Sequence, residues 1–157
     1  MYLCTIYRKK HLLSCLAFIP YGVIVDEYQH GVYENPDMTP EQRKAFYRSL
    51  EEKYRPYMDY EDLPYLSEGT RWQYQMHIYE SPFYYIDYCL AQTVALWFLV
   101  KSREDYKAAL EDYLTLAKAG GQKAFEQLLA DANIPSPFAK GSLKELQNKV
   151  LEIAESL

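Results

Sequence analysis

Positive charge is in short supply in this sequence. Lys and Arg total 17 against 22 Asp and Glu, a formal charge of −5 over 157 residues, and there is no long Lys/Arg run. That balance excludes a protein built to grip nucleic-acid backbones. Cysteine is scarce too: Cys4, Cys15 and Cys89 are too few and too scattered for a disulfide framework or a zinc ribbon, and they fit a reducing compartment. Long hydrophobic runs are missing. The longest, Leu12–Val25 and Val94–Val100, fall short of the roughly 20 residues that span a bilayer, so no membrane partner is expected. Arg8-Lys9-Lys10-His11 precedes the first run as a signal n-region would, but no small-x-small cleavage site follows; the expected location is cytoplasmic. Strand signals are nearly absent, with no Asn-Gly or Asp-Gly hairpin and no sustained alternation.

Tyrosine, by contrast, is abundant: 17, against 6 Phe and 2 Trp. So many phenols point to a wet, polar-lined cavity or a half-wet interface, because a buried hydroxyl wants a partner. Hydrophobic residues at 49% and charged residues at 25% suit a single globular domain over residues 1–157.

Helix punctuation dominates the rest. Thr39-Pro40-Glu41-Gln42 is a capping box with proline at the first helical position, and Phe46, Tyr47, Leu50 and Tyr54 recur at helical spacing after it. Ser81-Pro82 repeats the cap-then-proline signal and predicts a buried helix over Phe83–Lys101. Ser102–Asp105 opens another, with Tyr106, Ala109, Leu110, Tyr113, Leu114 and Ala117 as its stripe and Gly120-Gly121 as its stop. A short helix is predicted over Gln122–Ala132, and Ser142-Leu143-Lys144-Glu145 reads as a capping box for a terminal one. A Tyr/Pro/acid-rich connection is expected over Pro56–Ser67. The fold class is therefore all-α, a multi-helix array of six or seven helices.

Two clusters could carry chemistry. In Asp26-Glu27-Tyr28-Gln29-His30, Glu27 and His30 stand i, i+3 as in the second half of the zincin signature. That signature needs His-Glu-x-x-His, and its first imidazole position is here Asp26. The three residues equally suit the polar side of a helix whose apolar side is Val23, Ile24 and Val32, and the missing imidazole favours that reading. The second cluster is His77 with Tyr84, Tyr85 and Tyr88. Neutral phenols donate protons without a charge to desolvate, and several of them aimed at one point with an imidazole would suit a developing oxyanion. The same tyrosines could instead pack a wet core, which composition alone favours. A lone histidine is no metal site.

Three stretches carry a resemblance. Ile19–His30 followed by Val32-Tyr33-Glu34-Asn35-Pro36, then Gln73-x-Gln75-Met76-His77-Ile78, then Pro82-Phe83-Tyr84-Tyr85-Ile86-Asp87-Tyr88-x-Leu90-Ala91, resemble the oligoendopeptidase F branch of the M3 zinc metallopeptidases, from about residue 12 to residue 157. The resemblance implies one part of a helical ellipsoid around a deep channel, and zinc-dependent cleavage of short peptides. It places substrate-holding and intermediate-stabilising donors on His77, Tyr84, Tyr85 and Tyr88. The zinc of that family is held by a His-Glu-x-x-His helix and a further Glu, and no His-Glu-x-x-His occurs in these 157 residues. The implied portion is thus the C-terminal one, with Zn2+ carried by the complete enzyme and no metal ligand or bound cofactor expected in this chain. Its implied partners are a short peptide and the missing zinc-binding portion, or a second copy met through an exposed apolar face. Two rivals come from other classes: a non-catalytic helical module that binds a peptide or partner subunit, and a truncated inactive remnant.

Overall fold

A computed structural model describes the backbone from Tyr2 to Leu157 and the side chains from Thr5 onward. Its elements are α1 (Tyr2–Glu34), α2 (Pro40–Tyr54), α3 (Pro64–Ser67), a single 3-10 turn (Arg71–Tyr74), α4 (Met76–Glu80), α5 (Ile86–Glu104), α6 (Tyr106–Ala119), α7 (Phe125–Asp131) and α8 (Ser142–Ser156). There is no strand among the described residues. The all-α expectation holds, with three extra short elements, α3, the 3-10 turn and α4, between α2 and α5. None of the described helices is long and apolar enough to cross a membrane.

The chain divides into two compact units, Ser14–Cys89 and the combination of residues 1–13 with Leu90–Leu157. The first holds the candidate cluster. Its core is Ile24 and Tyr28 of α1 against Tyr47 and Leu50 of α2, flanked by Phe46, Tyr54, Trp72 and Ile78. Aromatic edges and faces fill it: the Tyr28 ring lies 5.3 Å from Tyr47 and 5.2 Å from Trp72. Burial pushes the Tyr28 and Tyr47 phenols well above the ordinary tyrosine value, so both stay neutral. Their hydroxyls lack a protein partner, so these two phenols act as large apolar bodies. In the second unit, Leu96, Trp97 and Val100 of α5 are buried, as are Leu129, Ala132 and Ile134 around α7 and Leu146, Val150 and Ala154 of α8.

Local punctuation is obeyed unevenly. Thr39 caps α2 with both halves of the capping box formed, and Gly120, at φ 52°, ends α6. The helix predicted from Phe83 instead starts at Ile86. Phe83 takes φ 62°, its N–H donates to Gln29 Oε1 at 3.3 Å, and its ring lies 4.8 Å from His30 and 4.9 Å from Tyr33. Tertiary contacts thus hold this residue in the left-handed region and override Pro82 as a helix start. Ser142 is the first helical residue of α8, buried, behind a Gly141 cap at φ 88°, so the predicted Ser142 capping box does not form. Asp105 caps α6, accepting from the N–H groups of Lys107 and Ala108. The stripe of α6 is the larger departure. Only Ala109 is buried, whereas Tyr106, Leu110, Tyr113 and Leu114 are exposed, Tyr106 by 70%.

Candidate functional site

The turn Ser81–Tyr85 folds α4 and the start of α5 toward each other. Ser81 N–H bonds to His77 O at 3.0 Å, Tyr84 N–H to Ser81 O at 3.2 Å, and Tyr88 N–H to Tyr85 O at 3.2 Å. The last is an i, i+3 bond at the mouth of α5, so Tyr85 and Tyr88 lie one short turn apart, edge to face, although Tyr85 precedes the helix. These bonds bring all four predicted residues together. The His77 ring lies 5.1 Å from Tyr85, 5.5 Å from Tyr88 and 6.4 Å from Tyr84. Tyr88 in turn lies 5.2 Å from Tyr84 and 5.4 Å from Tyr85.

The three phenols differ in surroundings. Tyr85 is 9% exposed, Tyr88 39% and Tyr84 46%. Tyr85 packs edge-on to Tyr21 at 5.9 Å and beside Phe18; burial pushes its hydroxyl up to about 12. Tyr88 is also held above the ordinary phenol value, first by a hydrogen bond with Tyr84 and then by burial. Its hydroxyl stands 3.4 Å from His77 Nε2. Tyr85 therefore backs the cluster, and Tyr84 and Tyr88 present their hydroxyls to solvent beside the imidazole.

Four residues outside the predicted cluster complete the arrangement. Gln75 sets its amide nitrogen 2.6 Å from His77 Nδ1 and accepts the Tyr21 hydroxyl on Oε1 at 2.8 Å. The guanidiniums of Arg71 and Arg55 stand 5.0 and 5.7 Å from the Tyr21 ring centroid. Gln75 sits inside the Gln73-x-Gln75-Met76-His77 block, two residues from the histidine, which is the one signal that could have found it. Nothing in sequence links it to Tyr21, 54 positions away. Beside it opens a cavity of about 690 Å³ lined by Tyr21, Leu63, Tyr65, Arg71, Tyr74 and Gln75.

The Asp26–His30 segment is engaged in structural contacts. Glu27 accepts from Lys53 Nζ at 2.8 and 3.2 Å and from the Tyr54 hydroxyl. Lys53, then Tyr54, hold its carboxyl below the usual glutamate value. His30 Nε2 is 3.5 Å from Asp26 and packs on Phe83. The buried positions of this stretch are Ile24, Val25, Tyr28 and Gln29, with Asp26 and Glu27 half-buried. Among the described residues, no three His, Cys, Asp or Glu side chains group as a metal site. With Glu27 bound to an ammonium and a phenol, and only one imidazole nearby, the donors present here do not fit a zinc ion.

No protein-family model matches this chain, and no curated protein does. Solved structures do match. A structure described as an oligoendopeptidase F aligns at 48% identity with a TM-score of 0.91, covering 96% of this chain and 27% of its own. A PZ peptidase A solved with an inhibitor gives the same values. An oligoendopeptidase F structure from Bacillus anthracis str. Ames aligns at 42% identity with a TM-score of 0.76 over 96% of this chain and 24% of its own. At such identity the likeness extends beyond shared architecture to the sequence itself. The chain is thus oligoendopeptidase F-like in sequence and fold along nearly its whole length, and it spans about a quarter of the length of those structures.

Proposed function

We propose that this chain is the C-terminal portion of a zinc-dependent oligoendopeptidase and forms the wall of its active site that supplies proton donors. The observation that carries this reading is the convergence of His77 with Tyr84, Tyr85 and Tyr88 at ring distances of 5.1–6.4 Å. The substrate would be a short peptide lying along the exposed side of the cluster. As its scissile carbonyl becomes tetrahedral, the oxygen gains negative charge, and preplaced neutral donors stabilise that charge more than they stabilise the ground state. Tyr88 is the residue best placed to give its proton, being exposed and beside His77 Nε2; Tyr84 adds a second hydroxyl and Tyr85 braces both. Zinc in the complete enzyme would polarise the amide and would be held by residues outside this chain.

Two measurements test this. The purified chain should bind zinc well below one equivalent and should not cleave a fluorogenic short peptide; stoichiometric zinc with turnover would overturn the assignment. In the complete peptidase carrying this segment, Tyr88→Phe should lower kcat by about ten- to a thousandfold, with KM moving far less. Unchanged kcat would favour the second reading, a non-catalytic module. That reading draws support from the exposed α6 stripe of Tyr106, Leu110, Tyr113 and Leu114, an apolar face of the kind that meets a partner subunit or a second copy.

A further inference from the structure

A primary amide presents one face that only donates and one that only accepts. Gln75 lies between a phenol and an imidazole, so which way it turns decides where the imidazole keeps its proton. On one side stands Tyr21. The Arg71 guanidinium stands 5.0 Å from the Tyr21 ring centroid, and the Tyr21 hydroxyl donates to Gln75 Oε1 at 2.8 Å. Once Oε1 takes the Tyr21 proton, the Gln75 NH2 group points at His77 Nδ1, 2.6 Å away. A nitrogen that receives an N–H must be the bare one of a neutral imidazole, which leaves the proton on Nε2.

We propose that Gln75 is a positioning residue that fixes His77 as the Nε2–H tautomer, through a one-way donor chain from Tyr21 through Gln75. The inference rests on the donor reading of His77 given above. The imidazole then donates on its Nε2 side, where the Tyr88 oxygen stands at 3.4 Å, and Tyr88 is left with its own proton to give outward. That contact is long as it stands, and it shortens when a carbonyl oxygen draws on the Tyr88 proton. Every donor from Tyr21 to Tyr88 then points one way, toward the exposed side of the cluster.

The test needs no turnover, so its failure would leave the donor reading standing. With only three histidines in the chain, long-range 1H–15N correlation spectra of the 15N-labelled protein are readily assigned using His77→Gln. Spectra are recorded about two pH units above the ordinary histidine value of about 6.5, where imidazoles are neutral. The expected result is a pyridine-like Nδ1 and a pyrrole-like Nε2 for His77, with the Nε2–H form favoured by at least about tenfold, the scale of one buried hydrogen bond left unmade. Free imidazole already leans that way, so the discriminating arm is Gln75→Glu. Its carboxylate can only accept, and it should invert the two assignments by drawing the proton to Nδ1. Tyr21→Phe, which keeps the ring and removes the Oε1 donor, should release the amide and erase the tenfold bias. Averaged nitrogen shifts in the wild type would overturn the proposal. So would an unchanged Nε2–H form in either variant with the helical circular dichroism intact.

Discussion

Gly22→Ala separates local from tertiary reasoning in one substitution. Gly22 lies in the middle of α1, where alanine in place of glycine ordinarily stabilises a helix by about 1 kcal/mol. Here the added methyl would point at Cys89 Sγ and fall more than an ångström inside ordinary van der Waals contact, with the Tyr85 ring close behind at 3.8 Å. Cys89 has little freedom to yield. It is buried, its thiol donates to Ile19 O at 3.6 Å, and burial pushes that thiol up to about 11. Overpacking of this kind costs about 1–3 kcal/mol, and an overlap this deep belongs at the upper end. The net expectation is a loss of about 2 kcal/mol. With a urea m-value of about 1–3 kcal/mol/M, the midpoint should fall by about 1 M. Adding Cys89→Ala removes the obstructing sulfur, so the double variant should recover about 2 kcal/mol relative to the sum of the two singles. A higher midpoint for Gly22→Ala alone would mean that propensity wins and that the close approach of Gly22 to Cys89 is wrong. The placement of Tyr85 against Tyr21 would be wrong with it.

Two further outcomes follow from the second compact unit. Lys101 donates to Asp112 and, at 3.1 Å, to Asn133 O; Lys101 first, then Asn133, hold the Asp112 carboxyl below the usual aspartate value. A lowered carboxyl contributes stability above its unfolded value of about 3.9 and loses it as pH falls through the lower folded value. Lys101→Met should therefore cost about 1 kcal/mol at neutral pH, and the gap between the thermal melts of the two proteins should shrink as pH falls below the usual aspartate value; a gap of unchanged size in acid would refute the ion pair as its cause. The α6 stripe should make the isolated chain self-associate, seen as a concentration-dependent mass in size-exclusion light scattering. Leu110→Ser with Leu114→Ser should abolish that association, and a wild-type monomer at all concentrations would show that the face needs no cover.

How far the site can be read from sequence follows the range of the forces that build it. His77, Tyr84, Tyr85 and Tyr88 lie within a dozen residues and within one resemblance block, and their meeting needs only the bonds of the Ser81–Tyr85 turn. The link between Tyr21 and Gln75 is invisible by the same measure, because a hydrogen bond between residues 54 apart leaves no spacing to find. The helix starts later than the Pro82 signal predicts for a related reason: Phe83 is held by Gln29, His30 and Tyr33 from α1. At α6 the 3.6-residue stripe marks an apolar face correctly and does not say whether anything covers it.

The sequence by itself determined the helical class, the α2 capping box, the stop at Gly120 and the company His77 keeps, since each depends on neighbours one or two turns away. Only the tertiary structure decided that Phe83 breaks the helix, that Tyr85 is buried while Tyr88 faces outward, and that Tyr21 meets Gln75 beside the imidazole. Those outcomes depend on which side chains compete for the same space and the same proton, and that competition exists only once the chain has folded back on itself.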